Sequence, residues 1–213
     1  MNINMSTVGL MYVGAVLFIN GLSLLKCITP KSAGIFNIFV GVMQVITPFH
    51  LIFSTDSATT ASHWLIFNDA GIFLFGFTYL YVGITNLTGI EGSGVGWYSL
   101  WVSILAIGYG CVNFALGDEK HGIIWLMWSF LWLLFFIQMG LKRQIDTFTG
   151  WVALIQSWIT ATIPAFLTLI GQWNNLSPFI TWGVTIASVV AYIWLYFYIK
   201  SKSQKNTFEG KFV

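Results

Sequence analysis

The stretch GIIWLMWSFLWLLFF, residues 122–136, lies inside a run that holds no Asp, Glu, Lys or Arg between Lys120 and Lys142. An α-helix rises about 1.5 Å per residue and the hydrocarbon core of a bilayer is about 30 Å thick, so about twenty apolar residues cross it. The quoted stretch sits within such a span, Gly122 to Gly140. Six more runs of similar length occur: Thr7 to Leu25, Ala33 to Ser54, Trp64 to Leu87, Trp97 to Leu116, Gly150 to Gly171 and Phe179 to Ile199. Outer-membrane strands would instead be about ten residues long and alternate in polarity. Of the 213 residues 57% are hydrophobic, 18% aromatic and only 8% charged, which excludes an ordinary soluble domain. The expected fold is an all-α integral membrane protein with seven spans and no nucleic-acid partner, its outer surface in contact with lipid.

Short connections make consecutive helices antiparallel neighbours. The odd-numbered connections and the segment after the last span hold Lys26, Lys31, Lys142, Arg143, Lys200, Lys202, Lys205 and Lys211, eight of the nine cations; the opposite side has Lys120 alone. The acids Glu91, Asp146 and Glu209 fall on the cation-rich side, and Asp56, Asp69, Asp118 and Glu119 on the other. The positive-inside rule then puts the N-terminus outside and the C-terminus in the cytoplasm. MNINMSTVGL has no basic n-region and its first cation follows the apolar run, so the first span is expected to stay rather than be cleaved as a signal peptide.

The chain reads as one transmembrane domain: a core over residues 1–171, an additional helix over 178–200 and a polar tail over 201–213. GWYSLW and GWVALIQ, opening the fourth and sixth spans, form a weak internal echo. Pro48 and Pro164 lie inside spans two and six, where each removes a backbone donor and kinks the helix. Gly14, Gly21, Gly34, Gly41, Gly71 and Gly76 allow close helix contact. Cys27 and Cys111 fall at opposite membrane faces, too far apart for a disulfide, and make no metal motif.

Intramembrane charge, the usual mark of function in a bilayer, is nearly absent. Asp69 is the deepest acid and sits near the outer interface. His50, His63 and His121 lie at or near the outer end without metal or haem placement. The last span has no central lysine for a retinal Schiff base. No buried base is placed to activate a serine, and no filter-like loop is visible. Neither an enzyme nor a cofactor is expected.

What remains is aromatic. At about 100° per residue, Trp125 and Trp132 project about 20° apart, Trp128 about 60° and Leu131 about 120° away, so the four share one third of the helix circumference. Phe75 and Tyr79, four residues apart, stack along one side of the third span. Such a stripe is commonly packing; as a pore lining it would pass neutral solutes.

The ordered series YVGAVLFINGL, PKSAGIFNIFVG, LFGFTYLYVGI, GWYSLW, IIWLMWSFLW and ATIPAF, running over residues 8 to 170, resembles the acid-activated urea channel and amide transporter family. The resemblance implies a six-helix protomer with its own pore, assembled as a homohexamer in the inner membrane and conducting urea and short-chain amides passively, with a functional link to a urease or amidase. Carried over by motif, the pore residues are Leu10, Leu17, Leu51, Phe75, Tyr79, Trp125, Trp128, Leu131, Trp132 and Gln156. Three departures matter. Gated relatives carry long outer loops rich in histidine and acids, whereas residues 55–63 and 117–121 supply only His63 and His121, so strong acid gating is not expected. Gln156 stands where the urea-selective relative has a glutamate, implying a neutral inner site. The seventh span lies outside the match. Two other readings stay open: a proton-coupled amide carrier using Asp69 and His50, and a non-transporting scaffold whose aromatic face is packing.

Overall fold

Seven helices in this computed structural model are long and apolar enough to cross a membrane, in the places the apolar runs mark. The structure describes residues 5–54 and 60–209, with the side chains of 60–62 and 203–209 set aside. Asp56 and Lys211, together with the side chains of Lys205 and Glu209, which entered the charge count, therefore lie outside what is described. The elements are α1 (Met5–Leu24), α2 (Pro30–Phe53), α3 (Thr60–Thr88), α4 (Ser93–Ala115), α5 (Glu119–Phe135), α6 (Asp146–Gln156), α7 (Ile163–Leu169) and α8 (Pro178–Glu209). A π-helical turn, Phe136–Gly140, extends α5, and a second, Ser157–Thr162, joins α6 to α7 within the sixth span. No strand occurs among the described residues.

Several helices begin about a turn before the apolar run, because capping rather than hydropathy sets the first residue. Thr29 accepts a hydrogen bond from Ser32 N ahead of Pro30, and Asp118 accepts one from His121 N ahead of α5. α8 runs on through Glu209, into the polar stretch read as a tail. At their ends α3, α4 and α7 are followed by left-handed glycines, Gly89, Gly117 and Gly171, while Lys26 and Lys142 adopt that conformation after α1 and the π turn of α5.

Three close pairings build the bundle: α2 on α3, α4 on α5, and α1 against α6, the second π turn and α7. Small residues permit this. A Cβ on Gly14 would collide with Thr162 Oγ1 and stand 2.9 Å from the Ser157 carbonyl, so α1 lies directly against the π turn. A Cβ on Gly96 would collide with the backbone of Gly140. Hydrogen bonds reinforce the pairs: Ser103 and Ser129 donate to each other's carbonyls at 2.8 Å, and Gln44 Nε2 donates to the Gly9 carbonyl at 2.7 Å. Pro164 lacks the N–H that would bond the Thr160 carbonyl, and the wide turn just before it absorbs the defect. Pro48 is accommodated within α2.

The seventh span is attached differently. Only 11% of the α8 spanning window is buried, against 33–56% in the other six. It packs on α5 and α6, and its N-terminal end is clasped to the start of α5, where Trp182 Nε1 donates to Glu119 Oε2 at 3.0 Å. Lys120, the isolated cation of the charge count, donates to the Trp173 and Leu176 carbonyls at 2.6 and 3.3 Å and lies 4.9 Å from the Trp173 ring centre, pinning the α7–α8 connection. At the other end, Lys142 pairs with Glu91 at 3.1 Å, and hydrogen bonds from Ser93 and Lys142 hold the Glu91 carboxyl below its usual range. Both cysteines are free and exposed.

Two outcomes follow. Gly96→Ala is expected to cost about 1–3 kcal/mol through the clash with Gly140, whereas Gly108→Ala, with nothing within 4 Å, leaves stability unchanged or raises it by up to about 1 kcal/mol; unfolding midpoints of the purified variants check both. Asp118 also bonds His121 Nδ1 at 2.7 Å, and that hydrogen bond holds its carboxyl below the usual range. A depressed carboxylate stabilises the fold above its unfolded pKa of about 3.9 and loses that effect as pH falls through the folded value. Asp118→Asn should therefore melt below the wild type at neutral pH, with the gap closing as the pH falls below that range.

Candidate functional site

A cavity of about 640 Å³ enters the bundle from the end that carries the α1–α2 and α5–α6 connections. Lys26, Thr29, Gln138 and Asp146 stand at its mouth, and Leu17, Phe75, Tyr79, Trp128, Leu131 and Trp132 line its depth. Helical spacing puts these three α5 residues on one face with Trp125, and the structure turns that face inward, although Trp125 is not in the lining of this cavity. Trp128, Leu131 and Trp132 are buried, as are Leu17, Phe75 and Tyr79 across from them on α1 and α3.

Phe75 is the hub. Its ring centre lies 4.7 Å from Trp128, edge to face, and 4.9 Å from Trp132. The indole nitrogens point away from one another to separate anchors. Trp128 Nε1 donates to Thr160 Oγ1 at 2.9 Å, which itself donates to the Gln156 carbonyl at 2.6 Å. Trp132 Nε1 donates to Thr78 Oγ1 at 3.3 Å, and Thr78 donates to the Leu74 carbonyl at 2.6 Å. With both N–H groups spent on threonines, the cluster meets the cavity with carbon. The polar lining includes Asn20, Asn86 and Ser99, with Thr78 and Tyr79 beside the rings. Asn20 and Asn37 form a reciprocal amide pair, Asn20 Nδ2 to Asn37 Oδ1 at 3.0 Å and Asn37 Nδ2 to Asn20 Oδ1 at 2.6 Å.

The other expected residues stand elsewhere. Trp125 does not line the cavity; it continues the aromatic series toward the opposite end, stacked on Tyr109 at 4.4 Å, which is stacked in turn on Phe67 at 4.3 Å. It also lies 5.1 Å from Trp128 and 5.9 Å from Phe75. Leu10 is partly buried against the same core, and Leu51 is half-buried near the end of α2. Gln156 is fully buried and faces away from the cavity: its Nε2 donates to the Met127 carbonyl at 2.9 Å, and its side chain lines a separate space between the core and α8. The side-chain direction at the end of α6, just before the π turn, decides this, and motif position does not encode it. Sequence reasoning missed Thr78, Thr160, Asn20 and Asn37; a polar side chain in the middle of an apolar span was the signal that marked them.

Asp69 is buried on α3 and His50 is exposed in the last turn of α2; neither lines the cavity. Among the described residues, no group of three His, Cys, Asp or Glu side chains converges on a metal-sized site.

Over residues 5–172 the sequence matches the AmiS/UreI family of transporters. A protein of Rhodococcus erythropolis described as the transporter AmiS2 is 45% identical over 173 residues, 80% of this chain and 82% of that one. The acid-activated urea channel of Helicobacter pylori is 35% identical over 189 residues, 77% of this chain and 97% of the relative. A cryo-electron-microscopy structure of the Helicobacter pylori urea channel in its closed state matches with a TM-score of 0.72 at 34% identity, over 78% of this chain and 98% of that chain. α8 begins beyond the residues that match the family. The family is one of transporters rather than enzymes. This chain, with its seven spans and inward aromatic face, is a multi-pass membrane protein belonging to the AmiS/UreI family of transporters.

Proposed function

We propose that the protein is a passive channel for urea and small neutral amides, selecting flat uncharged solutes where Phe75 meets Trp128 and Trp132. The observation that carries this reading is the convergence of an open cavity on Phe75 and the two indoles it touches, whose N–H groups are already bonded. An amide stripped of water without compensation costs about 2–7 kcal/mol, and an isolated ion tens of kcal/mol by a Born estimate. A slit between ring faces therefore admits a planar neutral molecule and refuses salts. N–H edges of the solute can point at the ring faces, a weak contact, and the Tyr79 hydroxyl and the Asn20 amide, both in the cavity lining, restore part of the lost hydration.

Ammonium is the demanding case, because aromatic faces attract cations by about 2 kcal/mol when desolvated. Several kcal/mol of effective desolvation penalty outweigh that attraction unless an anion assists, and no acid lies among the three rings. The same reading places the protein in the inner membrane with its N-terminus outside and C-terminus cytoplasmic, as a homohexamer working beside a urease or amidase. It also makes the pore independent of strong acid gating, since among the described residues the α2–α3 and α4–α5 ends offer one acid–histidine pair, Asp118–His121, beside the exposed His63.

Stopped-flow swelling of proteoliposomes tests the core of the proposal. Urea and acetamide are expected to equilibrate without a proton gradient and alike at neutral and acid pH; flux that appears only with an imposed proton gradient would favour the carrier. One methylene is worth about 1–3 kcal/mol of discrimination in an apolar pocket. Trp128→Ala with Trp132→Ala should accordingly raise the ratio of propionamide to acetamide permeability by about tenfold, while a scaffold would lose stability with no change in solute preference. In planar bilayers, ammonium chloride should carry no protein-dependent current.

A further inference from the structure

A second cavity, of about 510 Å³, runs between α8 and the α5–α6 side of the core and shares no lining residue with the first. From Trp182 to Phe197 it follows α8 for about 22 Å, at about 1.5 Å per residue. Phe130 on α5 and Val189, Ile193 and Phe197 on α8 line it and are also exposed, so the slot opens sideways, toward hydrocarbon. Apart from Tyr196 at one end, the polar members of the lining are turned to one another or to other parts of the chain. Trp182 Nε1 donates to Glu119 Oε2 at 3.0 Å, and Thr185 Oγ1 donates to the Thr181 carbonyl at 2.8 Å. The Tyr192 hydroxyl and the Gln156 side chain lie within hydrogen-bonding reach of each other.

What the slot offers is therefore carbon and room. A polar ligand would give up hydration there without return, and water would find too few partners to stay. An unfilled slot would leave its walls without dispersion contacts, beside a helix whose spanning window is only 11% buried. A long, flexible, apolar occupant delivered from the side is an acyl chain. The two ends of the slot differ in charge. At the N-terminal end of α8 stands the Glu119 carboxylate. At the other end Tyr196 meets Phe148 edge to face at 5.9 Å, and Lys200 Nζ lies 6.0 Å from the Tyr196 ring centre. Beyond that contact come Arg143, ahead of α6, and Lys202 on α8, both exposed like Lys200. None of these three cations forms an ion pair among the described residues, and the Asp146 carboxylate at the same end accepts from Gln138 Nε2 at 2.8 Å. A phosphate is attracted to this end and repelled from the other.

We infer that the slot between α8 and the core holds one acyl chain of an anionic phospholipid, with its phosphate at Arg143, Lys200 and Lys202, and that this lipid fastens α8 to the bundle. The inference stands on a helix that begins beyond the residues matching the family, and it is independent of whether urea permeates.

Native mass spectrometry of the full chain, released from micelles that carry phosphatidylglycerol and phosphatidylcholine of identical chains in equal amounts, tests it. Retention of one phosphatidylglycerol per chain is expected, preferred over phosphatidylcholine by about tenfold or more, since each cation contributes about fivefold. Lys200→Gln should lower that preference about fivefold, and Lys200→Gln with Arg143→Gln should remove most of it. Val189→Trp, which fills the slot from the lipid side, should lose the retained lipid whatever its headgroup. Added phosphatidylglycerol should raise the unfolding midpoint of the wild type and leave that of Val189→Trp unchanged. Ile193→Trp keeps the test decisive if Val189→Trp does not fold. Three results would overturn the proposal: equal retention of the two lipids, which is ordinary annular contact; retention unmoved by both tryptophan variants, which puts the lipid elsewhere; and oligomers without retained lipid that these variants disperse, which gives the slot to a second copy of the chain.

Discussion

An indole N–H buried at membrane depth has to find its acceptor inside the protein, because lipid offers none. The two that matter here, on Trp128 and Trp132, find threonine hydroxyls on two different neighbours, Thr160 in the sixth span and Thr78 on α3. Those two bonds set the orientation of both rings, and Phe75 then fits between them with edge-to-face and tilted contacts. The neutrality of the deep end of the cavity follows from the same pair of bonds. The donors that would hydrate or bind a passing ion are already engaged, and the exposed material is carbon.

The sixth span supplies one of those anchors only because it is not a regular helix. Pro164 removes a donor, the backbone widens into a π turn over Ser157–Thr162, and Thr160 comes to lie where it can bond both the Gln156 carbonyl and the Trp128 indole. The wide turn needs room, and Gly14 on α1 gives it by letting backbone meet backbone. Proline, π turn, glycine and tryptophan thus form one connected arrangement, with the glycine and the proline as necessary to the site as the ring that faces the cavity.

Gln156 belongs to this arrangement from the other side. Its backbone carbonyl receives Thr160, and its side chain reaches the Met127 carbonyl, next in sequence to Trp128. The residue therefore stands between the ring cluster and α8, bonded toward the first through its main chain and facing Tyr192 with its side chain. α8 is thinly attached along its length but clasped near its N-terminus by Glu119 and Lys120, which holds Tyr192 opposite Gln156.

The seven spans, their all-helical nature and the clustering of cations on alternate connections were legible in the order of residues, because the bilayer imposes a length and an apolar composition on each span that no partner helix can relax. The common face of Trp128, Leu131 and Trp132 was legible as well, since helical geometry alone puts them on one side. Which way that face turns was not, and neither was the fate of Trp125, which leaves the cavity to stack on Tyr109. Gln156 shows the limit most clearly: its motif position named it a pore residue, yet its side chain opens toward α8. Thr78, Thr160, Asn20 and Asn37 carried only the faint mark of polarity within apolar runs. Hydrophobic matching to lipid is a property of each segment by itself, so sequence determines it; hydrogen bonds between segments depend on how helices rotate against one another, and only the packed bundle decides that.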